Sequence, residues 1–266
     1  MIFFNQRIIF IHIPRCGGTS IEQNLWYKEF GKYFSFKETN EKNLLQGFVD
    51  KYSNKHQSDG LQHLTAFNIK KIYPKEFEQF YKFTFIRNPF SRAVSLYLEI
   101  MKYRKDLRDF LAIYKDSSFK NFLKLISVQS HTHWMPMWKF FETKQVDYIG
   151  RFENYNADLE ILGKKKKINF IDENFSGATN FSEKNSYQAF YDDGENIDLV
   201  KKIYAKDLES FGYNLEEFFE YENNKLNSKK MKPHIKLDKK ENNFRRFVKR
   251  ILKKNFYIYL NRDKFD

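Results

Sequence analysis

The sequence predicts an α/β protein with a central parallel β-sheet flanked by helices, followed by a basic helical tail. Short apolar, β-branched runs alternate with helical patterns, which is typical of a parallel sheet with crossover helices. The 266 residues, 41% of them hydrophobic, are enough for one domain with a substantial core. Residues 223–266 hold 15 Lys and Arg against 4 Asp and Glu, a net +11 that leaves only +2 for residues 1–222. We therefore predict a domain over 1–222 and a tail over 223–266.

Composition excludes several classes of protein. Cys16 is the one cysteine, so a fold held by intrachain disulfides is excluded. No apolar stretch reaches the roughly 18 residues that a membrane-spanning helix needs. The apolar start is interrupted by polar residues and is not followed by a small-residue cleavage site, so it does not resemble a signal peptide. We expect a cytoplasmic protein, and the nearly neutral body disfavours nucleic acid as its main ligand.

Three strands are predicted, at 7–13 (RIIFIHI), 81–86 (YKFTFI) and 146–150 (VDYIG), because each is a short run of apolar and β-branched residues. Helical spacing or capping residues predict helices near 21–30, 62–72, 88–104, 117–127, 153–163 and 198–211. Asn88 and Pro89 form an N-cap and first helical residue, and Gly212 is a stop signal.

The first candidate site follows the first strand, in the segment IFIHIPRCGGTSIE. Gly17 and Gly18 allow backbone N–H groups to approach an anion, and the start of the following helix supplies unpaired N–H donors. Thr19 and Ser20 add hydroxyl groups, and Arg15 adds a planar cation that suits phosphate or sulfate oxygens. The alternative is an ordinary strand-to-helix turn.

Two details of this loop limit its interpretation. No Lys precedes Thr19, so the segment is not the loop of a nucleoside triphosphatase. Cys16 is either a nucleophile close to a helix start or a tolerated loop residue.

The second candidate site follows the second strand, in FTFIRNPFSRAVSLY. Arg87 stands at the strand end, from which an arginine can reach a ligand in the crevice at the sheet edge. Ser91 and Ser95 lie one turn apart on one helix face. The alternative is a buried Arg–carboxylate pair with two serines near the helix cap.

Together the two segments resemble the sulfotransferase family of the Golgi carbohydrate and bacterial type. That family carries I-P-K-T-G-G-T-S and, downstream, F-x-R-[ND]-P-x-x-R-x-x-S-x-Y. This chain has IPRCGGTS at 13–20 and FIRNPFSRAVSLY at 85–97. Weaker similarities at 62–66 (QHLTA), 149–154 (IGRFEN) and 204–213 extend the resemblance over about 7–213.

The resemblance implies a sulfotransferase fold similar to that of P-loop NTPases. It also implies transfer of a sulfuryl group from 3′-phosphoadenosine 5′-phosphosulfate (PAPS), bound without a metal, to a hydroxyl of a carbohydrate. It assigns the 3′-phosphate to Arg87 and Ser95. It assigns the 5′-phosphosulfate to the loop residues Arg15, Cys16, Gly17, Gly18, Thr19 and Ser20.

The loop departs from the family at two positions. Arg15 replaces a Lys that is thought to stabilise charge on the bridging oxygen, and Cys16 replaces a Thr. Arginine keeps the charge but lacks the compact, movable ammonium group. The chain is therefore either an active carbohydrate sulfotransferase, with Arg15 in this catalytic role, or a donor-binding protein with weak or no transfer activity.

Several residues are candidates for the acceptor side. His63, in the stretch that resembles a His-Leu-Thr segment of the family, is our choice of general base, and a structural histidine is the alternative. Arg151 either touches donor or acceptor or forms a structural ion pair. Trp134 either stacks on a ring of a ligand or belongs to the core. His131 and His133 lack further ligands nearby in sequence, so we predict no metal site.

The tail has its own pattern from Phe244 onward. Its apolar residues stand at helical spacing and its basic residues fill the other face, which suits a helix lying on an anionic membrane. We hypothesise that 244–256 docks the enzyme on the inner membrane face, near a lipid-linked or envelope glycan. The alternative is that the apolar face packs on the catalytic domain.

Overall fold

The computed structural model describes residues 1–31, 60–166, 170 and 187–230. Its sheet has four strands in the order β1 (Ile2–Phe3), β2 (Ile8–Ile11), β3 (Tyr81–Ile86) and β4 (Tyr148–Arg151). Strands β2, β3 and β4 run parallel, and β1 pairs antiparallel with β2 at the sheet edge. The predicted α/β class with a mostly parallel sheet is confirmed.

The central strands form where the sequence is apolar and β-branched. All four residues of β2 (IIFI) are buried, as expected for a strand covered on both faces. β3 has the predicted bounds, β2 is shorter than predicted at both ends, and β4 begins two residues later than predicted. β1 was not predicted, because a strand of two residues has no pattern of its own.

The helices cover both faces of the sheet and build a second core beside it. In chain order they are α1 (Gly18–Phe30), α2 (Ala66–Ile72), α3 (Pro74–Gln79), α4 (Pro89–Tyr103), α5 (Lys105–Leu111), α6 (Phe119–Val128), α7 (Tyr155–Lys166), α8 (Gly194–Ile203), α9 (Ala205–Phe211) and α10 (Leu215–Lys230). Among these described helices, none is both long and apolar enough to cross a membrane.

Capping residues set two of these helix ends as predicted. The side chain of Asn88 accepts a hydrogen bond from the Phe90 N–H, and Pro89 is the first residue of α4. Gly212 ends α9 in the left-handed conformation, with φ 64°.

The prediction of a single helix over 198–211 is wrong. The structure has two helices there, α8 and α9, which meet at Tyr204. At Tyr204 the ring is buried and its hydroxyl donates to the Trp134 carbonyl oxygen at 3.1 Å. Packing of this ring in the core therefore overrides the continuous helical pattern.

The parallel strands place the candidate residues together. Ile11 of β2 pairs with Thr84, and Ile86 of β3 pairs with Arg151 of β4. The carboxyl ends of all three strands therefore meet at one sheet edge, where ligands of open α/β sheets bind. The IPRCGGTS loop, Arg87 and Phe152 each follow one of these ends.

The chain divides into two units, Met1–Glu222 and Asn223–Asp266. Of the second unit the structure describes only 223–230, at the end of α10. The predicted tail helix over 244–256 and most of the 31–60 segment lie outside the described residues.

Candidate active site

The loop between β2 and α1 has an unusual backbone. Arg15 and Gly17 both have positive φ, at 68° and 86°. For an arginine the left-handed conformation costs about 1 kcal/mol, and such residues concentrate at functional sites. The chain therefore holds Arg15 in a strained conformation at the start of the loop.

At both glycines, neighbouring side chains leave no room for a Cβ atom. A Cβ on Gly17 would lie 2.8 Å from Cε2 of Tyr155, and one on Gly18 would lie 2.1 Å from Cδ2 of His12. The absence of these side chains lets α1 begin directly against His12.

The start of α1 is suited to an anion. Within the described part of the chain no side chain caps this helix, and its first turn contains no acidic residue. The first N–H groups of a helix have no partner inside the helix and carry a partial positive charge. Thr19 is exposed, while Gly17 and Ser20 are partly exposed. This surface therefore offers backbone and hydroxyl donors to a phosphate or sulfate group.

Tyr155 of α7 stabilises the loop from the side. Its hydroxyl donates to the Gly17 carbonyl oxygen at 2.8 Å and also contacts the Ser20 hydroxyl. Burial raises the pKa of Tyr155 to about 12, so the hydroxyl remains protonated at neutral pH.

The side chain of Cys16, a residue that the resemblance assigns to the donor, faces inward. Its N–H donates to the Ile13 carbonyl oxygen at 3.3 Å, and its buried sulfur lies 3.8 Å from Sδ of Met137. Burial raises the pKa of the thiol to about 12, so it is not a thiolate at neutral pH. The structure therefore supports the tolerated loop residue rather than the nucleophile.

Arg87 connects the second segment to the first. It is buried, and its Nη1 donates to the Arg15 carbonyl oxygen at 3.2 Å, while Nε donates to the Ser91 hydroxyl at 2.9 Å. Its guanidinium carbon lies 4.1 Å from the ring centre of Phe152. Among the residues that the structure describes, Arg87 thus contacts a carbonyl, a hydroxyl and a ring rather than the carboxylate of the alternative interpretation.

The Arg15 side chain in turn contacts the second segment and the helix that continues from it. Its Nε and Nη2 donate to the Ser95 hydroxyl at 3.1 and 3.0 Å, and its Nη1 pairs with Oε2 of Glu99 at 2.9 Å. The structure thus brings together Arg15, Arg87 and Ser95, which the sequence assigned to one ligand. Glu99 was missed, although it follows Ser95 by one helical turn.

Arg92 was also missed, although it belongs to the motif at 85–97. Its side chain is buried, and its Nε donates to the Pro14 carbonyl oxygen at 3.0 Å. Its Nη2 donates to the carbonyl oxygens of His133 and Met135, at 3.4 and 3.0 Å. Arg92 therefore fixes the loop residue before Arg15 against the 133–135 segment.

His63 lies close to this loop. Its Nδ1 donates to the His12 carbonyl oxygen at 3.1 Å, which makes Nε2 the unprotonated nitrogen. Burial, followed by the neighbouring His12, lowers the pKa of His63 well below 6.5, so the ring is neutral at physiological pH. In this tautomer Nε2 carries a lone pair, which can accept a proton.

A buried carboxylate holds the His63 turn in place. Glu22 of α1 accepts from Nδ1 of His12 at 2.6 Å and from Nε2 of Gln62 at 2.9 Å. This network joins β2, α1 and the Gly60–His63 turn, so His12 has a structural role.

His133 also lies beside His63, with ring centres 5.4 Å apart. Its Nε2 accepts from Nη1 of Arg104 at 2.9 Å, and its Nδ1 lies 3.3 Å from Nδ1 of His131. Burial, then Arg104, lowers the pKa of His133 well below 6.5. Within the described residues, no group of three or more His, Cys, Asp or Glu is arranged to hold a metal ion.

Two residues that were predicted to contact a ligand have partners within the protein. Arg151 donates from Nη2 to the Phe211 carbonyl oxygen at 2.6 Å, and its guanidinium lies over the ring of Tyr213. Trp134 is buried in the second core, and its Nε1 donates to the Gln129 carbonyl oxygen at 2.6 Å. The structure places Trp134 in the core and Arg151 between β4 and the end of α9.

A family model described as the sulfotransferase family matches residues 1–214. The chain belongs to the sulfotransferase family. No curated protein and no solved structure matches it at a significant level. Membership makes the protein a transferase of sulfuryl groups.

In this sulfotransferase the matched region contains every candidate residue described above. The loop at 13–20, His63 and the segment at 87–95 all lie within 1–214, whereas all of α10 and the whole tail lie beyond it. The family match therefore coincides with the part of the chain that carries the assembled site.

Proposed function

We propose that this sulfotransferase moves a sulfuryl group from PAPS to a hydroxyl of a carbohydrate. The observation that carries the proposal is the contact between the two candidate segments, through Arg15 to Ser95 and Arg87 to the Arg15 carbonyl. Residues far apart in sequence thus lie within reach of one small anionic ligand. A nucleotide with a phosphate at each end of its ribose matches this pair of anion-binding elements.

The proposed donor lies across the carboxyl edge of the sheet. The N–H groups at the start of α1, together with Thr19 and Ser20, bind the 5′-phosphosulfate. Arg87 and Ser95 bind the 3′-phosphate, and Arg15 lies between them. The residues present therefore fit a donor with two anionic groups.

The proposed transfer breaks the bond between sulfur and the bridging oxygen as the acceptor oxygen bonds to sulfur. Nε2 of His63 takes the proton of the acceptor hydroxyl, and the leaving 3′-phosphoadenosine 5′-phosphate (PAP) keeps the electron pair of the broken bond. Arg15 and the N-terminus of α1 stabilise the negative charge that develops on its bridging oxygen. The hydrogen bond from His63 to the His12 carbonyl fixes the tautomer that this step needs.

The carbohydrate acceptor and PAPS rest on the family resemblance of the two motifs, not on the geometry alone. The alternative proposal is a protein that binds the donor with weak or no transfer activity. The observation that favours the alternative is the ion pair between Arg15 and Glu99, because it occupies part of the guanidinium that transfer requires.

Transfer of radiolabelled sulfuryl from PAPS to a panel of glycans tests the proposal. We expect incorporation by the unaltered chain, a loss of about 10²-fold or more for His63→Gln, and PAP binding close to normal in that variant. His131→Gln is the matched control and should retain transfer. PAP binding without incorporation into any glycan would favour the alternative.

We also propose, from the sequence alone, that the basic helical pattern over 244–256 binds an anionic membrane surface close to the acceptor. Alternating apolar and basic faces support this proposal. Flotation with anionic vesicles at low salt is the test, and an unbound full-length chain would contradict it.

A further inference from the structure

Glu99 is the one carboxylate that the described residues place on the Arg15 guanidinium. Oε2 of Glu99 lies 2.9 Å from Nη1 of Arg15, and each of the two side chains is 23% exposed. Glu99 follows Ser95 by four residues on α4, so both partners of Arg15 project from one helix face. A negative charge therefore lies directly beside the cation proposed to contact the donor.

An arginine at position 15 can contact Ser95 and Glu99 at the same time. Nε and Nη2 converge on the Ser95 hydroxyl, while Nη1 points to Glu99. A guanidinium spans two partners with separate nitrogens, whereas a lysine ammonium is a single point charge. Arg15 and Glu99 are thus a matched pair, which gives a physical reason for the arginine found where the family usually has lysine.

We propose that Glu99 is a positioning residue that weakens nucleotide binding by competing with the donor for Arg15. This inference rests on the proposed function. A bound phosphosulfate must share the guanidinium with Glu99 or displace it, and the two anions repel each other. The carboxylate therefore raises the KM for the donor and speeds release of PAP.

The size of the effect follows from the position of the pair. Two like charges a few ångströms apart in a partly exposed site repel enough to change affinity about three- to tenfold after solvent screening. Since the repulsion is electrostatic, added salt should reduce it.

Calorimetric titration of the full chain with PAP provides the test. Glu99→Gln keeps the shape and a hydrogen-bonding oxygen but removes the charge, so we expect its Kd to fall about three- to tenfold. Asp109→Asn is the matched control, because it removes a carboxylate that pairs with a cation, Lys105, at 2.6 Å on the neighbouring α5. We expect the control to bind PAP like the unaltered chain.

A double-mutant cycle measures the coupling between residues 15 and 99. Arg15→Lys should weaken PAP binding more in the unaltered background than beside Glu99→Gln, because a lysine cannot hold Ser95, Glu99 and the ligand together. Unfolding temperatures of all variants check that each is folded.

The two proposals fail in different ways. No PAP binding by the unaltered chain would overturn the proposed function and this inference with it. PAP binding by the unaltered chain, with equal or weaker binding by Glu99→Gln, would overturn only the role of Glu99.

Discussion

The two motif segments have opposite environments. In the loop at 13–20, Thr19 is exposed and Arg15, Gly17 and Ser20 are partly exposed, whereas every residue from 87 to 95 is buried. The first segment offers donors to a ligand, while the second makes most of its contacts with the protein itself. Two motifs that look equivalent in sequence thus have different physical tasks.

The buried segment supports the open one. Arg87 donates to the Arg15 carbonyl and Arg92 donates to the Pro14 carbonyl, so two arginines hold consecutive peptide groups of the loop. Because Arg15 has a strained backbone, such support is needed to keep its conformation. Part of the second motif therefore binds the loop rather than the ligand.

Removal of Arg92 should have the largest effect. Arg92→Ala leaves three backbone carbonyls without their donor and opens a cavity, so we expect a loss of about 4 kcal/mol in the free energy of unfolding. Arg108→Ala is the control, since Arg108 is also buried and binds the carbonyls of Ile100 and Met101, outside the loop. Chemical denaturation measures the free energy of unfolding of both alanine variants. The partly destabilising variant Arg92→Lys should raise the donor KM, whereas Arg108→Lys should not. Equal donor KM values for the two lysine variants would show that Arg92 does not support the loop.

A methyl group on Gly17 should have the next largest effect. Gly17→Ala combines positive φ with a clash against Tyr155, so we expect a loss of about 3 kcal/mol. Gly31→Ala, at the other end of α1, has positive φ but no atom of the described residues within 4 Å of the added methyl group, and it should lose only about 1 kcal/mol. Thermal unfolding compares the two variants, and equal losses would mean that the loop tolerates the clash by shifting.

Acid should weaken the fold through the buried histidines. The pKa values of His63 and His133 are lowered in the folded state, so the unfolded chain binds more protons below pH 6.5. Stability is therefore complete above 6.5 and falls as the pH drops, by up to about 1.4 kcal/mol per pH unit for each histidine. Denaturation at a series of pH values should show a smaller slope in His63→Gln than in the unaltered chain. An unchanged slope would contradict the burial of a neutral His63.

The exposed hydroxyl of Thr19 should have the smallest effect. Thr19→Val removes one donor at the open surface, so PAP should bind about two- to fivefold more weakly with no change in unfolding temperature. Thr143→Val, at an exposed site in the Thr143–Gln145 turn, is the control and should bind PAP normally. A loss of stability in Thr19→Val would mean that Thr19, like the buried segment, supports the fold.

The sequence predicted what local patterns determine. Apolar runs identified the three parallel strands, and Asn88 with Pro89 identified the start of α4. The loop glycines were also recognisable, because a turn between strand and helix has few alternatives to glycine. These features depend on residues close together in the chain.

The remaining features depend on contacts between distant residues. Arg92 and Pro14 are separated by 78 positions, and Arg15 and Ser95 by 80, so no local pattern encodes their partners. The inward direction of Cys16 and the break at Tyr204 follow from packing in the core, which overrides loop and helix preferences. The pairing of Glu99 with Arg15 became visible only once α4 lay beside the loop.

If one nucleotide bridges both motif segments, both of its phosphate groups must contribute to binding. Calorimetry of the unaltered chain should show PAP binding about tenfold or more tightly than adenosine 5′-phosphate, because only PAP carries the phosphate assigned to Arg87 and Ser95. Equal affinity for the two nucleotides, or no binding of either, would show that the two segments do not hold one nucleotide.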